Sequence, residues 1–232
     1  MTTLNSRRAI FPRSSWSGTI TRRSDIRGLC LILDQDILRV SAEQAMQQAL
    51  AAGVKFFQYR SKSGARKVIY ETSLTLLRIA RNEQACFIVN DHADIAAAVD
   101  ADGVHLGQDD LPIEFARKVL GRDKLIGIST HSLEQARAAE AAGADYIGFG
   151  PIFKTSTKAA GQTQGVQKLT IIKNSVAIPV IAIGGINQAN VQLVVQTGAD
   201  GAAVISVVLA AHDIRFAAQQ LVGMWANVRR DT

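Results

Sequence analysis

The chain has 232 residues, 47% of them apolar and 20% charged, with two cysteines and a formal charge of +6. That length is enough to bury a substantial core as one α/β domain of ordinary size. The charge is concentrated, because residues 1–27 carry Arg7, Arg8, Arg13, Arg22, Arg23 and Arg27 against Asp25 alone, a net of +5 that leaves about +1 for everything after it. The body therefore has no basic surface of the kind that holds nucleic acid, and no nucleic-acid partner is expected.

Residues 1–26 are also rich in serine (Ser6, Ser14, Ser15, Ser17, Ser24) and lack hydrophobic periodicity. They read as a disordered basic extension ahead of a single domain over 27–232. Arg-rich, Ser-rich and acid-poor composition is shared by transit peptides, so a transit segment and a merely solvated extension both stay open. The longest apolar run, near 201–211, is shorter than the roughly 18 residues a membrane span needs, and no membrane partner is expected. Cys30 and Cys86 sit inside apolar, strand-like runs, where packing as small hydrophobes in a reducing compartment is the natural reading. The expected location is the cytoplasm.

From residue 28 the pattern alternates with little interruption. Strands are predicted over 28–33, 56–60, 86–89, 103–106, 125–129, 146–150, 179–183 and 201–205. Helices are predicted between and after them, over 41–52, 65–81, 94–99, 113–120, 132–142, 166–175, 188–197 and 214–227. Pro112 suits the start of the fourth helix. The loop over 151–165 is unusually long for a compact domain, and such loops are often functional. AAGVKFFQ (51–58), DADGVHLG (100–107), AAGADYIGFG (141–150) and TGADGAAVIS (197–206) repeat one theme of helix end, turn and apolar strand. Eight such units in about 200 residues predict a (β/α)8 TIM barrel in preference to an open doubly wound sheet, with the chemistry at the carboxyl ends of the strands.

The strand ends bear this out as a map of polar groups. A crossover over 86–106 makes its two strands parallel, so Asn90 and Asp91 finish beside Gln108, Asp109 and Asp110 on one sheet edge. Carboxylates and amides converging there suit a hard cation such as Mg²⁺; the alternative is that these aspartates only cap helices. Gln58, Arg60 and Lys62 alternate onto one face of a strand tip and suit a polyanion such as a pyrophosphate. Ser129 is open between helix capping and ligand contact. His131 and His92 are the histidines expected at strand tips, and no pair of the four histidines has zinc-ligand spacing. Lys154, Thr155, Ser156, Thr157 and Lys158 follow strand six, Gly184–Gly185 follow strand seven, and Ile205 and Ser206 end strand eight. Loops after strands seven and eight form the usual phosphate site of such barrels.

Taken in order, QYRSK (58–62), ND (90–91), DGVHLGQDD (102–110), GISTH (127–131), GADYIGFGPIF followed by TSTK, PVIAIGGI (179–186) and GADGAAVIS (198–206) resemble thiamine phosphate synthases. The resemblance runs from about Gly28 to the last helix and leaves out only the basic tail. It implies a Mg²⁺-dependent coupling of 4-amino-5-hydroxymethyl-2-methylpyrimidine diphosphate with a thiazole phosphate, giving thiamine phosphate and pyrophosphate. By that resemblance Gln58, Tyr59, Arg60, Ser61, Lys62, Asn90, Ser129 and Lys158 hold the pyrimidine diphosphate, and Asp91 and Asp110 hold the metal. Thr155, Ser156, Thr157, Gly185, Ile205 and Ser206 hold the thiazole phosphate. Arg60, Lys62 and Lys158 have electrostatic roles, with no protein nucleophile. Ser61 departs from the family, which often has an acidic residue there, and altered loop contacts are expected. A thiazole tautomerase of the same fold and a non-catalytic phosphate-binding barrel are the rival readings, and a homo-oligomer is left open.

Overall fold

The computed structural model describes residues 26–155 and 162–228. Residues 1–25, and with them nearly all of the basic extension, lie outside the described residues, as do Ser156, Thr157 and Lys158. In chain order the elements are β1 (Gly28–Asp34), α1 (Ala42–Ala51), β2 (Phe56–Arg60), α2 (Arg66–Asn82), β3 (Cys86–Asn90), α3 (Ala93–Val99), β4 (Gly103–Leu106), α4 (Ile113–Leu120) and β5 (Leu125–Thr130). They continue with α5 (Leu133–Ala141), β6 (Tyr146–Phe149), α6 (Gly165–Ser175), β7 (Val180–Ile183), α7 (Val191–Gln196), β8 (Gly201–Val204), α8 (Ser206–Leu209) and α9 (Ile214–Val228). The strands form a closed parallel barrel in sequence order, with β8 pairing back onto β1, so the expected (β/α)8 TIM barrel is the architecture found.

Local chemistry explains most boundaries. Ser41 accepts the amide of Gln44, whose side chain accepts the Ser41 amide in return, a reciprocal cap that starts α1. Two differences from the sequence expectation go beyond one-residue shifts of element ends. The helix expected over 188–197 begins only at Val191, because Asn187 and Asn190 fold the segment before it: Asn190 Oδ1 accepts the Asn187 amide, and Asn187 Oδ1 accepts the Ala189 amide. The eighth strand ends at Val204, and Ser206 opens a short helix. Among the described residues, no helix is long and apolar enough to cross a membrane.

Register decides which side chains enter the barrel. Paired residues of parallel strands share a face, and the pairs Asp34↔Arg60, Gln58↔Ile88, Asn90↔His105 and Ser129↔Gly148 belong to one such face. That face is the interior, since Phe56 of β2 meets Tyr146 of β6 edge-on at 5.9 Å although the two strands are not neighbours. The barrel is thus apolar at its floor and polar at the carboxyl ends of its strands. The opposite faces carry Leu31, Leu33, Phe57, Phe87 and Val104, all fully buried beneath the helices.

The repeated Asp of the sequence motif holds the other end. Asp102, Asp145 and Asp200 stand just before β4, β6 and β8, and each accepts a main-chain amide of the preceding strand: Phe87 at 2.8 Å, Ile126 at 2.9 Å and Val180 at 2.8 Å. Arg117 pairs with Asp145 and Lys173 with Asp200. Three of the eight seams, β3–β4, β5–β6 and β7–β8, are stapled in this way at the amino-terminal rim. Ile26, at the end of the stretch read as tail, is buried in the core.

Candidate active site

The carboxyl end of β2 does not act as a uniform run. Gln58 and Arg60 face the interior, where both are buried; Gln58 donates to Asn90 Oδ1, and Arg60 is ion-paired with Asp34 at the end of β1. Asp34 also accepts the amide of Asp36, which fixes the carboxylate against the turn that follows β1. The Nε of Arg60 is buried with no hydrogen-bond partner among the described residues. A buried donor without an acceptor is costly, and an anion entering the mouth would supply one. Tyr59 does not join this group. It points to the opposite face, is buried under the helices, and donates its hydroxyl to Gln35 at 3.1 Å; burial pushes its phenol above the usual range. Ser61 is buried and Lys62 is exposed at the rim.

The neighbouring tips carry the acidic residues. Asp91 leaves β3 with a φ of +66°, a left-handed conformation that aspartate tolerates better than most residues, and its amide donates to the carbonyl of His105 at 2.9 Å. Asp110 Oδ2 accepts the Gly107 amide at 2.6 Å and closes the turn after β4. The helix-capping alternative does not hold, because the residue at the cap of α3 is His92 and that at the cap of α4 is Pro112. The two carboxylates end adjacent strands, while Asp109 is exposed. Among the described residues no group of three or more His, Cys, Asp or Glu side chains is placed to hold a metal ion. Two carboxylates remain a sufficient protein contribution for Mg²⁺ when water and phosphate oxygens complete the shell.

On the far side of the mouth lies a cavity of about 420 Å³. Ser129, His131, Thr155, Gly185, Ile205 and Ser206 line it, together with other residues of the β6, β7 and β8 ends. Gly185 has a φ of +69°, and a Cβ there would come within 2.5 Å of the Lys154 carbonyl oxygen, so only glycine lets the segment after β6 lie on this turn. His131 engages the Gly150 carbonyl through Nδ1 at 2.6 Å and steadies the tip of β6. Ser132, not Ser129, caps α5. The Ser129 hydroxyl instead meets His105 Nε2 at 2.9 Å, and its carbonyl accepts from the Gln108 side chain at 2.6 Å.

The structure therefore brings together Gln58, Arg60 and Asn90 on one side and Thr155, Gly185, Ile205 and Ser206 on the other, with Ser129 lining the cavity between strands four and six. Sequence reasoning missed Asp34, the partner of Arg60, by ending β1 one residue early. It also passed over His105, buried within GVHL, although the inward phase that runs from His105 to Gly107 is legible there.

Comparison with known proteins identifies the family. A family model described as thiamine monophosphate synthase matches residues 29–208. The thiamine-phosphate synthase of Methanosarcina barkeri is 42% identical over 201 residues, covering 86% of this chain and 91% of that relative. The thiamine-phosphate synthase of Chloroflexus aurantiacus is 45% identical over 195 residues, or 83% and 90% of the two chains. The solved structure of thiamine phosphate pyrophosphorylase from Pyrococcus furiosus superposes with a TM-score of 0.82 at 40% identity, covering 88% of this chain and 98% of that one. With its closed barrel, its polar mouth and these relatives, the chain belongs to the thiamine monophosphate synthase family.

Proposed function

We propose that the chain joins 4-amino-5-hydroxymethyl-2-methylpyrimidine diphosphate to a thiazole phosphate, releasing pyrophosphate and forming thiamine phosphate. The observation that carries this reading is Arg60, a buried cation whose Nε has no hydrogen-bond partner among the described residues, set beside the Gln58–Asn90 pair. A tautomerase acting on the thiazole alone would leave that buried polar half without a task.

Gln58, Arg60, Ser61, Lys62, Asn90, Ser129 and Lys158 hold the pyrimidine diphosphate. Tyr59 supports that strand end from behind. Thr155, Ser156, Thr157, Gly185, Ile205 and Ser206 hold the thiazole phosphate. Asp91 and Asp110 hold Mg²⁺, whose contribution when bound is to neutralise diphosphate oxygens. The amino-substituted pyrimidine ring donates electrons to its methylene carbon, so the bond to the diphosphate oxygen breaks ahead of attack. Arg60, Lys62 and Lys158 stabilise the charge that gathers on the leaving group. The thiazole nitrogen then closes on the cationic carbon, and holding both substrates in one mouth supplies much of the remaining rate. No protein nucleophile takes part. The basic stretch over residues 1–25 takes no part in the reaction, and the enzyme works in the cytoplasm.

Mixing the pure protein with both substrates tests the reading. Pyrophosphate and thiamine phosphate should appear in equal amounts, stop when either substrate is omitted, and stop with excess chelator. Thiazole phosphate binding without pyrophosphate release from folded protein would move the assignment to a tautomerase or a binding barrel.

A further inference from the structure

The barrel interior holds a hydrogen-bonded chain of which the functions assigned above use only Ser129. His105 is buried in β4; its Nδ1 lies 3.1 Å from the Tyr146 hydroxyl and its Nε2 lies 2.9 Å from the Ser129 hydroxyl. Three successive strands thus contribute one side chain each to a line running from the floor of the barrel to the cavity wall. Glycines make room for it. A Cβ at Gly127 would fall 2.1 Å from the Tyr146 ring, and one at Gly148 would fall 3.1 Å from the His105 ring.

The direction of the line follows from proton counting. Tyr146 is fully buried, and burial holds its phenol well above the usual range, so the hydroxyl keeps its proton. Among the described residues its hydrogen-bond partner is His105. A buried phenol must place its proton on an acceptor, which makes Nδ1 the acceptor. In a neutral imidazole the proton is then on Nε2. Nε2–H donates to Ser129, whose oxygen is thereby used as an acceptor. The Ser129 proton is left to point into the cavity.

We infer that Tyr146 and His105 are positioning residues that fix Ser129 as a hydrogen-bond donor toward the reacting substrates, with the acceptor being a diphosphate oxygen of the pyrimidine substrate. This rests on the proposed function for the identity of the acceptor, but the direction of the chain is a property of the protein alone. A donor aimed at the leaving group gains strength as charge develops there, so its loss is felt more in turnover than in binding.

Nitrogen NMR of protein carrying ¹⁵N-labelled histidine reads the direction without any assay of activity. The His105 signals, assigned by their disappearance in His105→Asn, should show a bare Nδ1 and a protonated Nε2. A proton found on Nδ1 would overturn the inference. In Tyr146→Phe the fixed tautomer should give way to a mixture, with kcat lowered about tenfold and KM changed less than about threefold, the size expected for one misdirected hydrogen bond to a charged group. The same substitution placed on Ser129→Ala should cost nothing further. Equal losses in both backgrounds would show that Tyr146 acts on packing and not through Ser129. If the NMR result holds while no thiamine phosphate forms, the proposed reaction fails and the relay stands.

Discussion

The two rims of the barrel use the same side chain for opposite ends. At the amino-terminal rim Asp102, Asp145 and Asp200 spend their oxygens on main-chain amides of the preceding strand, and two of them are further tied to Arg117 and Lys173. At the carboxyl-terminal rim Asp34 braces a buried arginine, while Asp91 and Asp110 end adjacent strands at the open mouth. The carboxylates of the amino-terminal rim tie one strand to the next, whereas Asp34 and Asp110 accept amides of the turns beside their own strand ends, Asp36 and Gly107. In a barrel of this kind position along the strand separates the two roles, and the proposed function assigns the carboxyl-terminal rim to the ligands.

Substitutions that swap these roles should break the comparison in a graded way. The largest effect is expected from Asp34→Ala, which leaves Arg60 charged and buried without its partner. Loss of one member of such a pair costs about 3–5 kcal/mol, so the denaturant midpoint should fall steeply and turnover with it. A midpoint like the parent's would mean that Arg60 finds water or another partner. Next comes Asp91→Asn, for which turnover should drop about 100-fold, or roughly 2.7 kcal/mol of barrier, with thiazole phosphate affinity and melting temperature nearly unchanged. Asp200→Ala at the opposite rim leaves the Val180 amide without its acceptor. It should lower stability by about 1–3 kcal/mol with turnover intact below the melting range, as followed by calorimetry alongside the assay. The smallest effect is expected from deleting residues 1–25, which should alter neither quantity because the buried Ile26 and the whole barrel after it are retained; lost turnover in a folded deletion would give the extension a role in the reaction.

How much of this the sequence disclosed depends on whether a residue acts through its own strand or across strands. The barrel was legible because each unit repeats its period and turn chemistry locally, and QYRSK or ND could be placed at strand tips by counting alternation. The repeated Asp of DADG, GADY and GADG was visible as a boundary mark, but its amide acceptor role was not, since that needs the neighbouring strand's register. The same limit hid the Arg60–Asp34 pair and the line from Ser129 through His105 to Tyr146, whose members are 26 residues apart in the first case and 24 and 41 in the second. Tyr59 shows the reverse fault. Contiguity within QYRSK drew it into the site, whereas strand alternation turns it toward the helices. The late start of α7 was missed because Asn187 and Asn190 satisfy backbone amides that a helix would otherwise use.

The most direct measurement is turnover per folded molecule in Asp91→Asn and Asp200→Ala, side by side, at saturating substrates and Mg²⁺. The division between the rims predicts parent-like turnover for Asp200→Ala and a loss of about two orders of magnitude for Asp91→Asn. Parent-like turnover in Asp91→Asn, or an inactive but fully folded Asp200→Ala, would contradict it.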